Sequence, residues 1–437
     1  MKKNDIIISL SIVLFIALIA IYELSSQSAQ AVELEAERTS ETISLGSSWK
    51  LHVISSRNGG PDGVRLADVN DDGWMDVVTA FENSGDILIA LHPGIERLNR
   101  PWPFVVAGNV PRGEDAFAID LNGDGNMDIF SSHEGDALSL YVHWAPSDPE
   151  DYWNSDLWES ERIEESAGHG WLFAVPMDVN EDGRVDIVAG SKDDSFNERN
   201  SIGAIAWLET PTEDREDWLF HLIDHAGWPM TIEPIDLDSD GDLDILLSDR
   251  NSDDEHQGLR WLENPGEDWD EEWKSHFVTG FKGERPMFIG LGDLDGDDIQ
   301  DLAVPLDLKN EMAIVSLAVL SGNPSTGKRI SVRSNLVTGD EDFKAAGIAD
   351  IDLDGVAEIV LSTVGGNIGI GYFDQASDEM FNAWVWVPIF DALQDPKYDL
   401  ITFYDVDGDG DEDILTTEEN QGLGIIWLEN PAISSGK

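Results

Sequence analysis

Short apolar runs of β-type residues recur along the chain, each directly after an acid- and glycine-rich stretch, as in Asp128-Ile-Phe-Ser-Ser132 and Asp244-Ile-Leu-Leu-Ser248. Runs of this length bounded by turn residues predict strands. Four such segments fill each unit. Around Asp236 the first runs from Met230 to Ile235 and the second from Leu243 to Ser248; the third holds Leu259-Arg-Trp-Leu-Glu263 and the fourth is Trp273-Lys-Ser-His-Phe-Val278. Third segments recur as Ala206-Trp-Leu-Glu-Thr-Pro211 and Ile426-Trp-Leu-Glu-Asn-Pro431. Fourth segments recur around Trp102, Trp158, Trp218 and Trp384, with a weaker copy at 332–337.

The two ends of the pattern predict the topology. The chain stops after a third segment, so the last unit lacks its fourth. An unpartnered fourth segment, Trp49-Lys-Leu-His-Val-Ile54, precedes the first unit and matches Trp218-Leu-Phe-His-Leu-Ile223. Pairing the first strand with the last unit closes a ring and removes the open edges. The expectation is an all-β, seven-bladed β-propeller of four-stranded blades over residues 48–431, preceded by a linker at 32–47 and followed by a tail at 432–437.

The stretch that repeats best is Asp405-Val-Asp-Gly-Asp-Gly-Asp-Glu-Asp413, with carboxylates at positions 1, 3, 5 and 9 of a nine-residue loop and Gly410 at position 6. Seven variants begin at Asp68, Asp120, Asp178, Asp236, Asp293, Asp350 and Asp405, spaced 52, 58, 58, 57, 57 and 55 residues apart. A period in this range with β-rich flanks favours propeller blades. Carboxylates about 4 Å apart repel by roughly 4 kcal/mol at an effective dielectric near 20. A hard, oxygen-seeking cation relieves that repulsion. The first six residues fit a helix-loop-helix calcium signature, which then needs an acid at position 12. Here that position holds Thr79, Ser131, Ala189, Leu247, Val304, Leu361 and Thr416, so the EF-hand reading fails. Solvated acidic turns are the bland alternative for one copy; seven copies with acids in fixed places favour calcium.

Charge and targeting narrow the setting. The chain of 437 residues carries 88 acidic and 26 basic residues, a net charge of −62. Seven Ca2+ ions would offset 14 of those charges, and the remainder still argues against nucleic acid and anionic membrane surfaces as partners. Disorder is excluded by 41% hydrophobic residues and 16 tryptophans. Residues 1–31 read as a signal peptide: Lys2 and Lys3, an apolar run from Ile6 to Ile21, and a small-x-small site at Ala29-Gln30-Ala31. The expected location is secreted, periplasmic or cell-envelope. The alternative is a membrane anchor formed by an uncleaved 6–21 segment. There is no cysteine, so disulfides and lipoprotein attachment are excluded, and the protein is expected to be a monomer.

The loops, their spacing and the Trp-Leu-Glu-Asn-Pro strands resemble the FG-GAP/VCBS repeat family, calcium-binding β-propellers of the kind found in integrin α-subunit heads. The resemblance covers about residues 48–431 and implies fold and metal rather than activity. By position, it implies calcium ligands Asp68, Asn70, Asp72 and Asp76; Asp120, Asn122, Asp124 and Asp128; Asp178, Asn180, Asp182 and Asp186; and Asp236, Asp238, Asp240 and Asp244. The remaining sets are Asp293, Asp295, Asp297 and Asp301; Asp350, Asp352, Asp354 and Glu358; and Asp405, Asp407, Asp409 and Asp413. Asp298 at position 6 and Glu358 at position 9 depart from the pattern, which marks those two sites as the weaker ones.

Candidate ligand-binding residues gather on the face opposite the acid loops. Inter-blade loops supply Arg57, Arg112, His169, Trp171, His225, Trp228, Lys282, Arg285, Lys344, Lys397 and Tyr398; loops between second and third strands supply His133, Lys192, Arg199, Arg250, His256 and Lys309. Polar residues gather on loops in any protein, so the group carries more weight than any member. Two functions follow. One is a non-catalytic module that binds carbohydrate or an extracellular protein. The other is a polysaccharide lyase with His169 or His225 as base and Arg285 neutralising a uronate carboxylate. His52, His221 and His276 recur in fourth strands and read as structural.

Overall fold

The computed structural model describes residues 43–44 and 49–432 except 58, 193–202, 212–217, 253–254, 267–268, 270, 308–313, 320–324, 326, 334–341, 366–368, 376–383 and 391–394. The expected signal segment at 1–31 therefore lies outside the described residues, as do the linker apart from 43–44 and the tail beyond 432. Among the described residues no helix is long and apolar enough to cross a membrane.

Acid loops reverse the chain between paired strands, and the result is an all-β propeller of four-stranded antiparallel blades. The Asp68 blade runs Pro61–Ala67, Asp76–Phe81, Asp86–Ala90 and Phe104–Asn109, each strand paired with the next. Blades named here for the first residue of their acid loop, from Asp120 to Asp350, repeat this meander. Among the described residues six blades have the four-stranded form, where seven were expected. The two ends of the chain instead meet in a sheet of five strands: Lys50–Ser55 pairs with Gly424–Glu429, and Ile43–Ser44 adds outside it. The extra strand occupies the edge that Lys50–Ser55 would otherwise leave with unpaired N–H and C=O groups.

Second strands such as Asp76–Phe81 and Asp244–Asp249 are buried along their whole length. Both faces of each sheet are covered by neighbouring sheets, so these strands read as continuous apolar runs rather than alternating ones. Apolar clusters bridge successive sheets. Phe117 and Ile119 meet Trp171 and Ile187, and Val175 and Val188 meet Ile232 and Ile245. The five-stranded sheet packs on both sides: Ile54 and Trp427 lie against Val64 and Phe81 of the Asp68 blade, while Leu51 and Ile414 lie against Ile351 and Val360 of the Asp350 blade. At the same seam Tyr404 accepts a hydrogen bond from Met75 N at 3.2 Å, and His92 Nε2 lies 3.0 Å from Val406 O.

Several fourth strands begin just after a buried tryptophan, as in Leu219–Ala226 after Trp218 and Lys274–Phe277 after Trp273. The Asp293 blade has no tryptophan to set that start. Its fourth strand is Lys328–Arg333, four residues ahead of the expected 332–337.

First strands face the hub and share one irregularity. Register shifts occur between Asp62 and Arg65, Gly113 and Asp115, Trp171 and Phe173, Pro229 and Thr231, and Phe343 and Ala346. All five lie at the strand end remote from the acid loop. A bulge re-aims the side chains it carries, here including Glu114, Leu172, Met230 and Lys344. Leu172 and Met230 join Phe173, Met287, Phe288 and Ala345 in an apolar cluster at the hub, drawn from four blades.

Because Trp427 is 1% exposed and joins the closing sheet to the Asp68 blade, Trp427→Ala should cost about 3–5 kcal/mol. Leu222→Ala, on a side chain 52% exposed, should stay within about 0.5 kcal/mol. Chemical denaturation of the two variants checks this; equal losses would show that the seam does not hold the ring.

Candidate functional site

In the acid loops the carboxylates first serve the backbone. Asp68 Oδ1 and Oδ2 accept the N–H groups of Asp72 and Gly73 at 3.0 and 2.9 Å, and Asp72 Oδ1 accepts that of Trp74 at 2.9 Å. Position 6 is left-handed in all seven loops, including Asp298 at φ 66°. Position 4 is left-handed as well, at Asp71, Gly123, Glu181, Ser239, Gly296, Leu353 and Gly408. The branched Leu353 is strained there, a requirement the sequence did not reveal.

Position 9 is different: its acid is buried in every loop. Asp76 accepts Val69 N at 3.0 Å and, through its other oxygen, His92 N just beyond the third strand at 2.8 Å. Asp244 does the same with Leu237 and Asn264, and Asp413 with Val406 and Asn430. Burial, set against these hydrogen bonds, pushes Asp76, Asp128, Asp186 and Asp244 up to about 7, with loop carboxylates adding to the rise. Glu358 and Asp413 rise to about 8 for the same reason.

These loops suit a hard cation. Carboxylate oxygens of Asp236, Asp238 and Asp244 lie within 4.8 Å of one another, as do those of Asp293, Asp295 and Asp297, and of Asp350, Asp352 and Glu358. The donor set is all oxygen, as Ca2+ requires. In the Asp178 loop a side chain already supplies positive charge: Arg184 Nε lies 3.2 Å from Asp182 Oδ2 and, chiefly through that hydrogen bond, holds the carboxyl below its usual range.

At the opposite end of the strands, first strands enter and second strands leave, and the bulges turn charged groups toward the hub. Two carboxylate trios form there, Asp62–Asp399–Glu419 and Glu82–Glu114–Glu134, each with oxygens within 4.8 Å. Basic side chains supply the countercharge, from neighbouring sheets and, at Lys397, from the same one. Lys344 Nζ lies 2.7 Å from Asp399, Lys397 Nζ 2.5 Å from Glu419, and Lys192 and Arg112 pair with Glu134 and Glu82. Burial first, and then Asp399, push Asp62 up to about 7. Burial is the largest influence on Asp399 and would raise it, but the Lys344 and Lys397 ammoniums and a hydrogen bond with Glu419 together outweigh it and hold that carboxyl at about 2. Burial, and then Asp62, drive Glu114 well above its usual value, while burial and contact with Asp399 push Glu419 up to about 10. None of these six acids was a candidate from the sequence. Their only signal was a place at strand ends, camouflaged among 88 acidic residues.

The predicted binding residues divide. Arg112, Lys192, Arg250, Arg285, Lys344 and Lys397 reach this hub end. Arg57 instead pairs with Asp86 of its own neighbourhood. His133 is fully buried, with Nε2 2.8 Å from Ser131 Oγ and Nδ1 3.1 Å from Pro111 O, because its strand lies between two sheets. Trp171 is buried, donates Nε1–H to Ser166 O at 2.8 Å and offers no face to a sugar ring; Tyr398 is likewise buried. Lys282 sits over Phe277, and His256 lies 3.9 Å from Asp224. Arg199 and Lys309 lie outside the described residues. His169 rests against Trp171 and Phe220, His225 is on the outer strand of the same blade with Nδ1 3.2 Å from Gly203 O, and Arg285 binds Asp307 at the hub of the Asp293 blade. His52, His221 and His276 each stack on a third-strand tryptophan and face its neighbouring glutamate, the role expected of them.

A family model described as an FG-GAP-like repeat matches residues 68–131, 178–247 and 236–304. The chain carries FG-GAP-like repeats. No curated protein sequence matches it. Solved structures similar to this FG-GAP-like chain include BBS1N from its complex with ARL6DN, at 11% identity and a TM-score of 0.48 over 88% of this chain and 96% of that one. Rhamnogalacturonan lyase YesW is 13% identical with a TM-score of 0.45, over 90% of this chain and 74% of its own. The Bacillus licheniformis rhamnogalacturonan lyase PL11 is 12% identical with a TM-score of 0.43, over 87% and 72%.

Asp62 gives a pH dependence with a definite sign. Its folded value of about 7 lies above the ordinary 3.8, so the folded state binds the proton more tightly and loses stability as pH rises through that window. Asp62→Asn should therefore gain stability over the parent, on the order of 2 kcal/mol at pH 8 and little at pH 4. Denaturation curves at both pH values test it; an equal change at each would overturn the assignment.

Proposed function

We propose that this FG-GAP-like protein is an exported, calcium-stabilised propeller that binds carbohydrate without catalysis at the hub end remote from its acid loops. In this reading the five-stranded sheet serves as a seventh blade, and the acid loops hold structural Ca2+. Export is supported by the Lys2–Lys3, apolar and Ala29-Gln30-Ala31 sequence features. Calcium is supported by all-oxygen trios such as Asp236–Asp238–Asp244 within 4.8 Å.

The observation that carries the binding site is the repeated bulge. Five first strands depart from regular register at the same end, and the residues displaced there meet charges from other sheets, as Lys344 meets Asp399. Irregularity that a repeat keeps at one end only is costly in ladder hydrogen bonds and is expected where side chains must be aimed. A dense set of charged donors and acceptors suits a polyhydroxylated ligand better than an apolar protein surface. A lyase needs a base beside the group that neutralises the substrate. His225 lies on an outer strand of the Asp178 blade, whereas Arg285 enters the hub of the Asp293 blade with Arg250 and Asp307 as neighbours.

Two measurements test the reading. Chelation should lower the melting temperature strongly, because each site held about 100-fold below ambient calcium adds roughly 2.7 kcal/mol; an unchanged melt would sink the structural metals. On a glycan array in calcium, the parent should bind saccharide and Lys344→Met should lose most of that binding. Double-bond absorbance released from a uronate polymer would reject the non-catalytic assignment.

A further inference from the structure

Two guanidiniums at the hub end share one carboxylate and leave donors unused. Arg250 follows the second strand Asp244–Asp249, and its N–H is tied to Trp228 O at 3.1 Å. Arg285 precedes the first strand of the next blade, and its carbonyl accepts Asp307 N at 2.8 Å. Backbone hydrogen bonds therefore fix both side chains at their roots. Asp307 Oδ2 lies 2.7 Å from Arg285 Nη2 but 4.0 Å from Arg250 Nε. Arg250 Cζ stacks over Trp228 at 4.4 Å, and among the described residues its Nη1 reaches only the Met287 thioether, at 3.6 Å. Among the described residues, Nε of Arg250 and Nε of Arg285 are both buried with no acceptor.

A buried donor without an acceptor is costly, more so when charged. Burial lowers the affinity of Arg250 for its proton, with Asp307 opposing and Arg285 reinforcing that effect, which points to an under-neutralised cation. The side chains of Arg250 and Arg285 remain 18% and 33% exposed, so a ligand can reach them. Planar guanidinium forks match planar carboxylates in pairs of hydrogen bonds. With Asp307 already between the two arginines and Asp342 contributing to the field at Arg250, a singly charged carboxylate suits the position better than a dianionic phosphate.

We infer that Arg250 and Arg285 form a subsite for the carboxylate of an acidic sugar, with Trp228 and Asp307 holding the two guanidiniums in place. This rests on the carbohydrate-binding reading of the same hub end.

The test is calorimetric titration of the full chain in calcium with sodium glucuronate, glucose and inorganic phosphate. Arg250→Gln, Arg250→Lys and Arg285→Gln are titrated in parallel after their melts are shown to match the parent; Arg285→Gln, on the more exposed side chain, serves if an Arg250 variant does not fold. Glucuronate should bind more tightly than glucose or phosphate and weaken about tenfold or more in the Gln variants, with Arg250→Lys recovering only part. Glucuronate affinity unchanged by these substitutions, or tighter binding of phosphate, would overturn the subsite. Neutral saccharides bound by the parent and untouched by either substitution, with no glucuronate binding, would sink the subsite alone. Absence of binding to every saccharide would sink the carbohydrate reading with it.

Discussion

A buried carboxylate at the last position of each acid loop ties that loop to its sheet. In the Asp236 blade one oxygen of Asp244 takes the N–H of Leu237 and the other takes that of Asn264, beyond the third strand. One side chain thereby spans three elements of the blade and satisfies two backbone donors that the turn would otherwise strand. The cost is a negative charge placed out of water beside other carboxylates. Everything at that end of the molecule answers to this constraint: the all-oxygen trios, the left-handed backbone at positions 4 and 6, and the arginine of the Asp178 loop that supplies its own countercharge.

The ring is held together differently. Its sheets meet through apolar contacts on both faces, so the second strands carry no solvent side at all. Closure depends on one non-local pairing, Lys50–Ser55 with Gly424–Glu429, reinforced where His92 and Tyr404 reach across between the first and last acid loops. A pairing between chain ends carries a high loop-closure cost that only the surrounding burial offsets.

At the hub end, charge is balanced between sheets as well as within them, as where Arg285 meets Asp307. Lys344 of the Asp350 blade neutralises Asp399 of the closing sheet, Lys192 of the Asp178 blade pairs with Glu134 of the Asp120 blade, and Arg65 of the Asp68 blade grips Asp115 with bonds of 3.0 and 2.8 Å. The acid loops and the aimed charges thus sit at opposite ends of the same strands.

Much of this architecture was legible in residue order. Strand starts near Trp218 and Trp273 and the acid loops follow from patterns within a few tens of residues, because strand period and turn chemistry are local, whereas the pairing of Trp49-Lys-Leu-His-Val-Ile54 with the last unit followed from the phase of the repeat over the whole chain. Where the local cue was missing, as in the fourth strand of the Asp293 blade, the expected register slipped by four residues. The fifth strand at Ile43–Ser44 was missed because a two-residue pairing has no periodicity to read. His133 and Trp171 looked like surface chemistry yet are buried, since a residue at the end of a wholly covered strand gives no sign of it in sequence. The carboxylates that meet at the hub are invisible for a deeper reason. Asp62 and Asp399 lie 337 residues apart, and only the closure of the ring and the bulges that rotate the ends of the first strands decide that they share one field.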